Sequence, residues 1–199
     1  MKLQRFVEHR KMPWINGRGV THEVAVAQIG DSWDWRLSIA EVAEDGPFSV
    51  LPGVDRVLVV ATGNGMTLTI DGVSHELARF ESATFDGESE TLGELTNGPV
   101  YDLNVMVKRS ANIGKPLIEV QHLERNAPVR VGAAQNLLAL VVLEGSVAME
   151  TAGDGFPFNP VKARASRLDA FLPTLDLKSK SSLLYAVTNS VVALVSLTE

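Results

Sequence analysis

The chain has 199 residues, 45% of them hydrophobic and 21% charged, enough to bury a real core as one large or two small domains and too apolar for global disorder. A net charge of −6 argues against nucleic acid as a partner, because phosphate binding needs a basic face. There is no cysteine, which excludes disulfides, thiolate zinc sites and cysteine nucleophiles together.

The first five residues, Met1-Lys2-Leu3-Gln4-Arg5, lack the apolar core of a signal peptide. The longest apolar run, Leu137 to Leu143, is too short to cross a bilayer. A cytoplasmic protein without a membrane partner is the expectation.

Next comes a polar string rich in side-chain chemistry: Trp14, Asn16, Gly17, Gly19, Thr21 and Glu23. Gly17 and Gly19 do not make a nucleotide loop, since a third glycine and a preceding apolar strand are missing; they suit a turn where backbone passes close to a ligand. Over Trp35 to Ala40 the alternation predicts a strand with Trp35, Leu37 and Ile39 on one face and Arg36 and Ser38 on the other. On this strand alone, Arg36 and Ser38 read as solvated. Asp45 to Arg56, with Pro47, Pro52 and two glycines, reads as a pre-shaped loop.

Val57 to Thr62 reads as a buried strand that turns back through Asn64-Gly65, a preferred hairpin dipeptide, into a partner strand over Met66 to Ile70. Asp71-Gly72 offers the next turn. Asp102 to Lys108 alternates again, with Leu103, Val105 and Val107 opposite Asp102, Asn104, Met106 and Lys108. That second polar face raises the odds of a polar-lined cavity, in which Arg36 could pair with Asp102. Leu117 to Leu123 also alternates. The chain is all-β.

Val57–Gly63 resembles Ala139–Gly145 about 82 residues later, each an apolar strand ending in glycine before a short second strand. This faint repeat points to a double barrel or double sandwich. We expect a first unit over 1–109 carrying the ligand site and a second over 110–199, because the site-like residues precede Lys108. The four histidines are scattered and no metal-ligand spacing is visible, so no metal and no other cofactor are expected.

The ordered motifs, Trp14-x-Asn16-Gly17-x-Gly19-x-Thr21-x-Glu23, Trp35-Arg36-x-Ser38, Asp45-Gly46-Pro47-Phe48-Ser49, Pro52-Gly53-x-Asp55-Arg56, Phe85-Asp86-Gly87 and Asp102-Leu103-Asn104-x-Met106, resemble the HutD/Ves family. The chain departs from that pattern at Ile15 and Arg18 and lacks the closely spaced histidines of metal cupins. The resemblance implies a bicupin, two small jelly-roll-like β-barrels, and a regulatory role in histidine utilisation through sensing an intermediate such as N-formylglutamate. The leading expectation is a metal-free binder of a small anionic metabolite.

In that reading Arg36 and Arg56 hold carboxylates, Asn16, Ser38 and Asn104 bond amide or formyl groups, and Trp14 or Trp35 walls the pocket. Thr21, Asp102 and Lys108 complete the candidate set. Two alternatives stand beside it. One is a metal-free hydrolase or isomerase using Glu23 or Asp102 as base and His22 or Lys108 as acid; the other is an interaction protein whose barrels form a homodimer. Both carboxylates are expected to be held ionised by neighbouring arginines.

Overall fold

The computed structural model describes residues 1–14, 17–29, 32–125, 128–131, 136–151, 161–173 and 182–198. The strands are β1 (Lys2–Gln4), β2 (Arg10–Pro13), β3 (Gly19–Ile29), β4 (Ser32–Val42), β5 (Gly46–Pro47), β6 (Val54–Thr62), β7 (Met66–Ile70), β8 (Val73–Leu77), β9 (Ser82–Asp86), β10 (Thr91–Leu95) and β11 (Val100–Lys108). They continue as β12 (Pro116–Leu123), β13 (Pro128–Val131), β14 (Leu137–Glu144), β15 (Ser146–Thr151), β16 (Val161–Ser166), β17 (Ala170–Leu172), β18 (Ser182–Ala186) and β19 (Ser190–Leu197). Single 3₁₀ turns at Phe6–Glu8 and Arg109–Ala111 are the helical elements among the described residues. None of these is long and apolar enough to cross a membrane.

Two compact units result: His9–Ile118 with Leu197–Glu199, and Met1–Glu8 with Glu119–Ser196. We call them the N-terminal and C-terminal units. In the N-terminal unit a six-stranded sheet, β2-β3-β4-β11-β6-β9, accompanies a four-stranded sheet, β5-β10-β7-β8. In the C-terminal unit the sheets are β1-β17-β14-β19-β12 and β13-β18-β15-β16. The strand pairings among the described residues are antiparallel. The expected pair of small barrels is thus drawn as four open sheets, none closed on itself.

The faint sequence repeat becomes a topological one. The order β4-β11-β6-β9 in the first unit corresponds to β12-β19-β14-β17 in the second, and β5-β10-β7-β8 corresponds to β13-β18-β15-β16. Eight consecutive strands therefore repeat with the same sheet order. The two similar segments, in β6 and β14, occupy equivalent places, and each ends at a glycine of positive φ, Gly63 at 93° and Gly145 at 80°.

The hairpin expected at Asn64-Gly65 is not formed. β6 and β7 do not pair: β6 lies between β11 and β9, and β7 between β10 and β8. Positive φ falls at Gly63 and Gly65, not at Asn64, so the two-residue hairpin turn is not formed. Gly63 packs where a side chain would meet the Pro99 carbonyl at 2.8 Å, and Asn64 Nδ2 donates to the Asn97 carbonyl at 2.9 Å. The segment carries the chain from one sheet to the other. Asp71-Gly72 is the true hairpin turn, both residues at positive φ (47° and 81°) between the paired β7 and β8.

Inside the N-terminal unit, Leu58, Val60, Met66, Leu68, Leu77, Phe85 and Val100 form a buried apolar cluster, against which Trp14, Phe48 and Ile70 pack. Leu37, Ile39, Val59, Leu103 and Val105, on the other face of the six-stranded sheet, are buried as well. Ser38, Asp102 and Asn104 share the face that carries Leu58 and Val60 and are buried as well.

Candidate functional site

Cross-strand register sets the site. Arg56 faces Met106, which faces Arg36; Leu58 faces Asn104, which faces Ser38, which faces Glu23; Val60 faces Asp102, which faces Ala40, which faces Thr21. Because side chains alternate across a strand, these three rows project from one face of the sheet. Arg36 and Ser38 are consequently not solvated, and Ser38 is 1% exposed. Their face lines a cavity of about 640 Å³, which falls in the usual range for small-molecule pockets.

Two loops close the other sides. Trp14 Nε1 donates to Thr21 Oγ1 at 2.8 Å, fixing the indole over the sheet, and Trp14 N donates to the Gly19 carbonyl at 3.0 Å. Gly19 is required here because a side chain would meet the Glu41 carbonyl and the Trp14 ring, 2.9 Å away. Gly46 and Pro47 pair with Gly93 and Leu92, Phe48 N donates to Thr91 O at 2.8 Å, and Leu95 N donates to Asp45 Oδ1 at 2.7 Å. A side chain at Gly93 would strike the Phe48 ring at 2.7 Å. The Asp45–Ser49 motif is therefore a bracket that seats Phe48, Ser49 and Leu51 against the cavity.

Arg56 is held between two phenyl rings, with its guanidinium carbon 5.4 Å from the Phe48 centroid and 4.7 Å from that of Phe85. Among the described residues its one hydrogen bond, to the Ser49 carbonyl, is long at 3.4 Å, and the residue is 3% exposed. Burial lowers its pKa to about 10, although the nearby Asp102 favours the cation.

Arg36 makes an ion pair with Glu23 at 3.4 Å and donates to the Met12 thioether at 3.7 Å. The expected Arg36–Asp102 pair is not formed. Register explains this: Arg36 lies two residues along the strand from Ser38, the position facing Glu23, and four from Ala40, the position facing Asp102.

Asp102 is fully buried, and no well-formed hydrogen bond reaches either carboxyl oxygen, although the Asn104 side chain is placed close enough to favour its anion; the Asn104 Oδ1 is also unmatched. Burial pushes the Asp102 carboxyl up to about 7, against the pull of Arg56 and the neighbouring Asn104 toward the anion. Arg56 therefore does not hold it firmly ionised as expected, because desolvation opposes the anion more strongly than one arginine favours it.

Seven of the ten expected site residues line the cavity: Trp14, Thr21, Arg36, Ser38, Arg56, Asp102 and Asn104. Asn16 lies outside the described residues. Trp35 does not line it, but Trp33 does, because the register slips between Ala27 and Gln28 and leaves Asp34 as an extra residue on β4. That bulge resets which side chains face inward. Lys108 sits beyond the cavity, donating to Ser32 Oγ at 2.7 Å with its ammonium 4.9 Å from the Trp33 ring. His22, the other acid considered, pairs with Ile39 on the opposite face of the sheet.

Reading polar residues alone missed Met12, Met106, Phe48 and Leu51, the apolar part of the lining, and Arg18 and Glu44, which lie 3.7 Å apart. Phe48 could have been found, since it sits inside a recognised motif. Among the described residues, no group of three His, Cys, Asp or Glu side chains is placed to hold a metal ion.

The HutD family model matches residues 7–184. A Pseudomonas putida protein named as an uncharacterized 21.2 kDa protein in the hutC 3′ region is 38% identical over 109 residues, 53% of this chain and 57% of its own. Protein Ves of Cronobacter sakazakii is 39% identical over 109 residues, 52% of this chain and 60% of its own. The matched stretch thus spans somewhat over half the length of these curated relatives. Among solved structures, the conserved protein PA5104 of unknown function from Pseudomonas aeruginosa superposes with TM-score 0.79 at 28% identity, covering 100% of this chain and 98% of that one. HutD from Pseudomonas fluorescens, in a formate condition, gives 0.72 at 23% over 100% and 99%. A cupin 2 barrel protein from Leptotrichia buccalis gives 0.58 at 12% over 90% and 89%, a likeness of fold.

Proposed function

The chain belongs to the HutD family, and from that premise and the cavity we propose that it is a bicupin that binds a small carboxylate-bearing metabolite, N-formylglutamate or a relative, in its N-terminal unit. The observation that carries this reading is the state of the two guanidiniums. Each Arg offers five donors, yet Arg36 meets a thioether and one ion pair at 3.4 Å, and Arg56 a single 3.4 Å bond. Both line one cavity. A carboxylate arriving between such donors gains short charge-assisted bonds.

The unmatched Asn104 Oδ1 is suited to an amide N–H, and Ser38 to a carbonyl or formyl oxygen. Trp14 and Phe48 supply the apolar walls that most ligand pockets need. Recognition of this kind requires no metal. The naming of the P. putida relative for the hutC 3′ region is in keeping with a link to histidine utilisation, and the role we propose there is regulatory, exerted by sequestering or sensing the metabolite.

A second reading, hydrolysis or isomerisation, draws on Asp102, whose pKa near neutrality suits a proton carrier. Against it, the second carboxylates within reach among the described residues are paired with arginines, Glu44 with Arg18 at 3.7 Å and Glu23 with Arg36 at 3.4 Å, while His22 and Lys108 lie elsewhere.

Thermal shift with N-formyl-L-glutamate, L-glutamate and urocanate tests the proposal. At about 100 times its Kd, a ligand adds about 2.7 kcal/mol, or about 5–10 °C in Tm for a chain of this size. N-formyl-L-glutamate should produce that shift and be recovered unchanged after prolonged incubation. Its conversion, lost in an Asp102→Asn variant that still binds, would make the protein an enzyme.

A further inference from the structure

Asp102 is difficult to reconcile with an anion-binding pocket. It lines the same cavity as Arg36 and Arg56, is fully buried, and receives no well-formed hydrogen bond at either carboxyl oxygen, the Asn104 side chain beside it notwithstanding. A carboxylate in that position would repel an incoming carboxylate across a medium where charges interact strongly. As a neutral acid it would instead offer one O–H donor. A ligand that fills the cavity also displaces the water able to solvate an ionised Asp102, which raises the cost of its charge further.

We propose that the cavity takes its anionic ligand together with one proton, borne by Asp102, which then donates a hydrogen bond to the ligand. This rests on the carboxylate-binding reading above and adds a selectivity rule to it: the ligand must present an acceptor oxygen to Asp102 as well as a carboxylate to the arginines. In the empty protein Asp102 is balanced near neutral pH, so the proton is taken up at the moment of binding.

The charged groups around Asp102 are few. Arg56 comes from β6, Arg36 from β4 with Glu23 of β3 paired to it, and Arg18 with Glu44 from the loops lining the cavity. The strands of the smaller sheet bring Met66 and Leu68, which are apolar. His22, whose pKa is lowered by burial, titrates on the other face of the sheet and serves as the rival source of any proton effect.

Calorimetry with N-formyl-L-glutamate, run in two buffers of different ionisation enthalpy, counts the protons directly. The wild type should take up about half a proton per ligand at pH 7, approaching one at pH 8, with affinity falling about tenfold from pH 6 to pH 8. Asp102→Asn should bind with no uptake and a flat pH profile. Binding by the wild type with no net uptake at any of these pH values would overturn the proposal and leave the carboxylate reading standing. Uptake that persists in Asp102→Asn would assign the proton elsewhere and overturn it equally. If N-formyl-L-glutamate, glutarate and L-glutamate all fail to bind from pH 6 to 8, the carboxylate reading and the proton coupling fall together.

Discussion

Arg56→Ala is expected to lose measurable carboxylate binding and to destabilise the N-terminal unit by about 2–5 kcal/mol, the usual cost of truncating a large buried side chain to alanine. Three losses coincide at this position. The guanidinium is the cation nearest in effect to Asp102, it fills the space between Phe48 and Phe85, and it ties the 45–56 loop to the sheet through Ser49. Arg56→Lys should recover part of the stability and little of the binding, because an ammonium supplies charge without the planar fork or the stacking. Urea unfolding followed by tryptophan fluorescence reads the first effect, since Trp14, Trp33 and Trp35 all lie in this unit. Wild-type stability in Arg56→Ala would mean that the guanidinium contributes nothing to holding the loop or offsetting Asp102.

A second large effect should appear in how stability depends on pH. Asp102 has a folded-state pKa of about 7, raised above the ordinary carboxylate value of 3.8. Between those values the native state binds a proton that the unfolded chain has released. The stabilisation tied to that proton is therefore complete below about pH 4 and is lost as pH rises through about 7. From pH 5 to pH 8 the wild type should lose on the order of 2–3 kcal/mol relative to Asp102→Asn. The comparison concerns slopes, because the variant also leaves Arg56 without its anion and its absolute stability shifts for that reason as well. Parallel pH profiles for the two proteins would show that Asp102 ionises as freely in the fold as in the unfolded chain.

The sequence made the face pattern legible and left the site's closure obscure. Period-two alternation at Arg36/Ser38 and Asp102/Asn104 was enough to put those side chains on common faces, and pairing of β4 with β11 turned two faces into one. The repeat between Val57–Gly63 and Ala139–Gly145 was likewise real, because the same strand and the same positive-φ glycine are needed wherever this unit changes sheet.

What failed depended on long-range geometry. Asn64-Gly65 has the composition of a hairpin turn, but tertiary packing at Pro99 and Val100 uses it as a crossover. Trp33 and Trp35 share parity on an ideal strand, and only the bulge at Asp34 separates their fates. The protonation of Asp102 was beyond reach for a similar reason. A nearby arginine is visible as a motif, whereas the complete burial that outweighs it is a property of the folded sheet.

The central claim is that a small carboxylate binds between the arginines of the N-terminal unit. It is tested most directly by isothermal titration of N-formyl-L-glutamate into the wild type and Arg36→Ala in parallel. Arg36 is the cleaner probe of the two, being half-buried, with a partner carboxylate that Arg10 also approaches at 3.9 Å, so its removal leaves the fold in place. The account predicts one saturable site in the wild type and binding weaker by about 1.5–3 kcal/mol in the variant, the range for a hydrogen bond to a charged group. Equal affinity in the two folded proteins would contradict it.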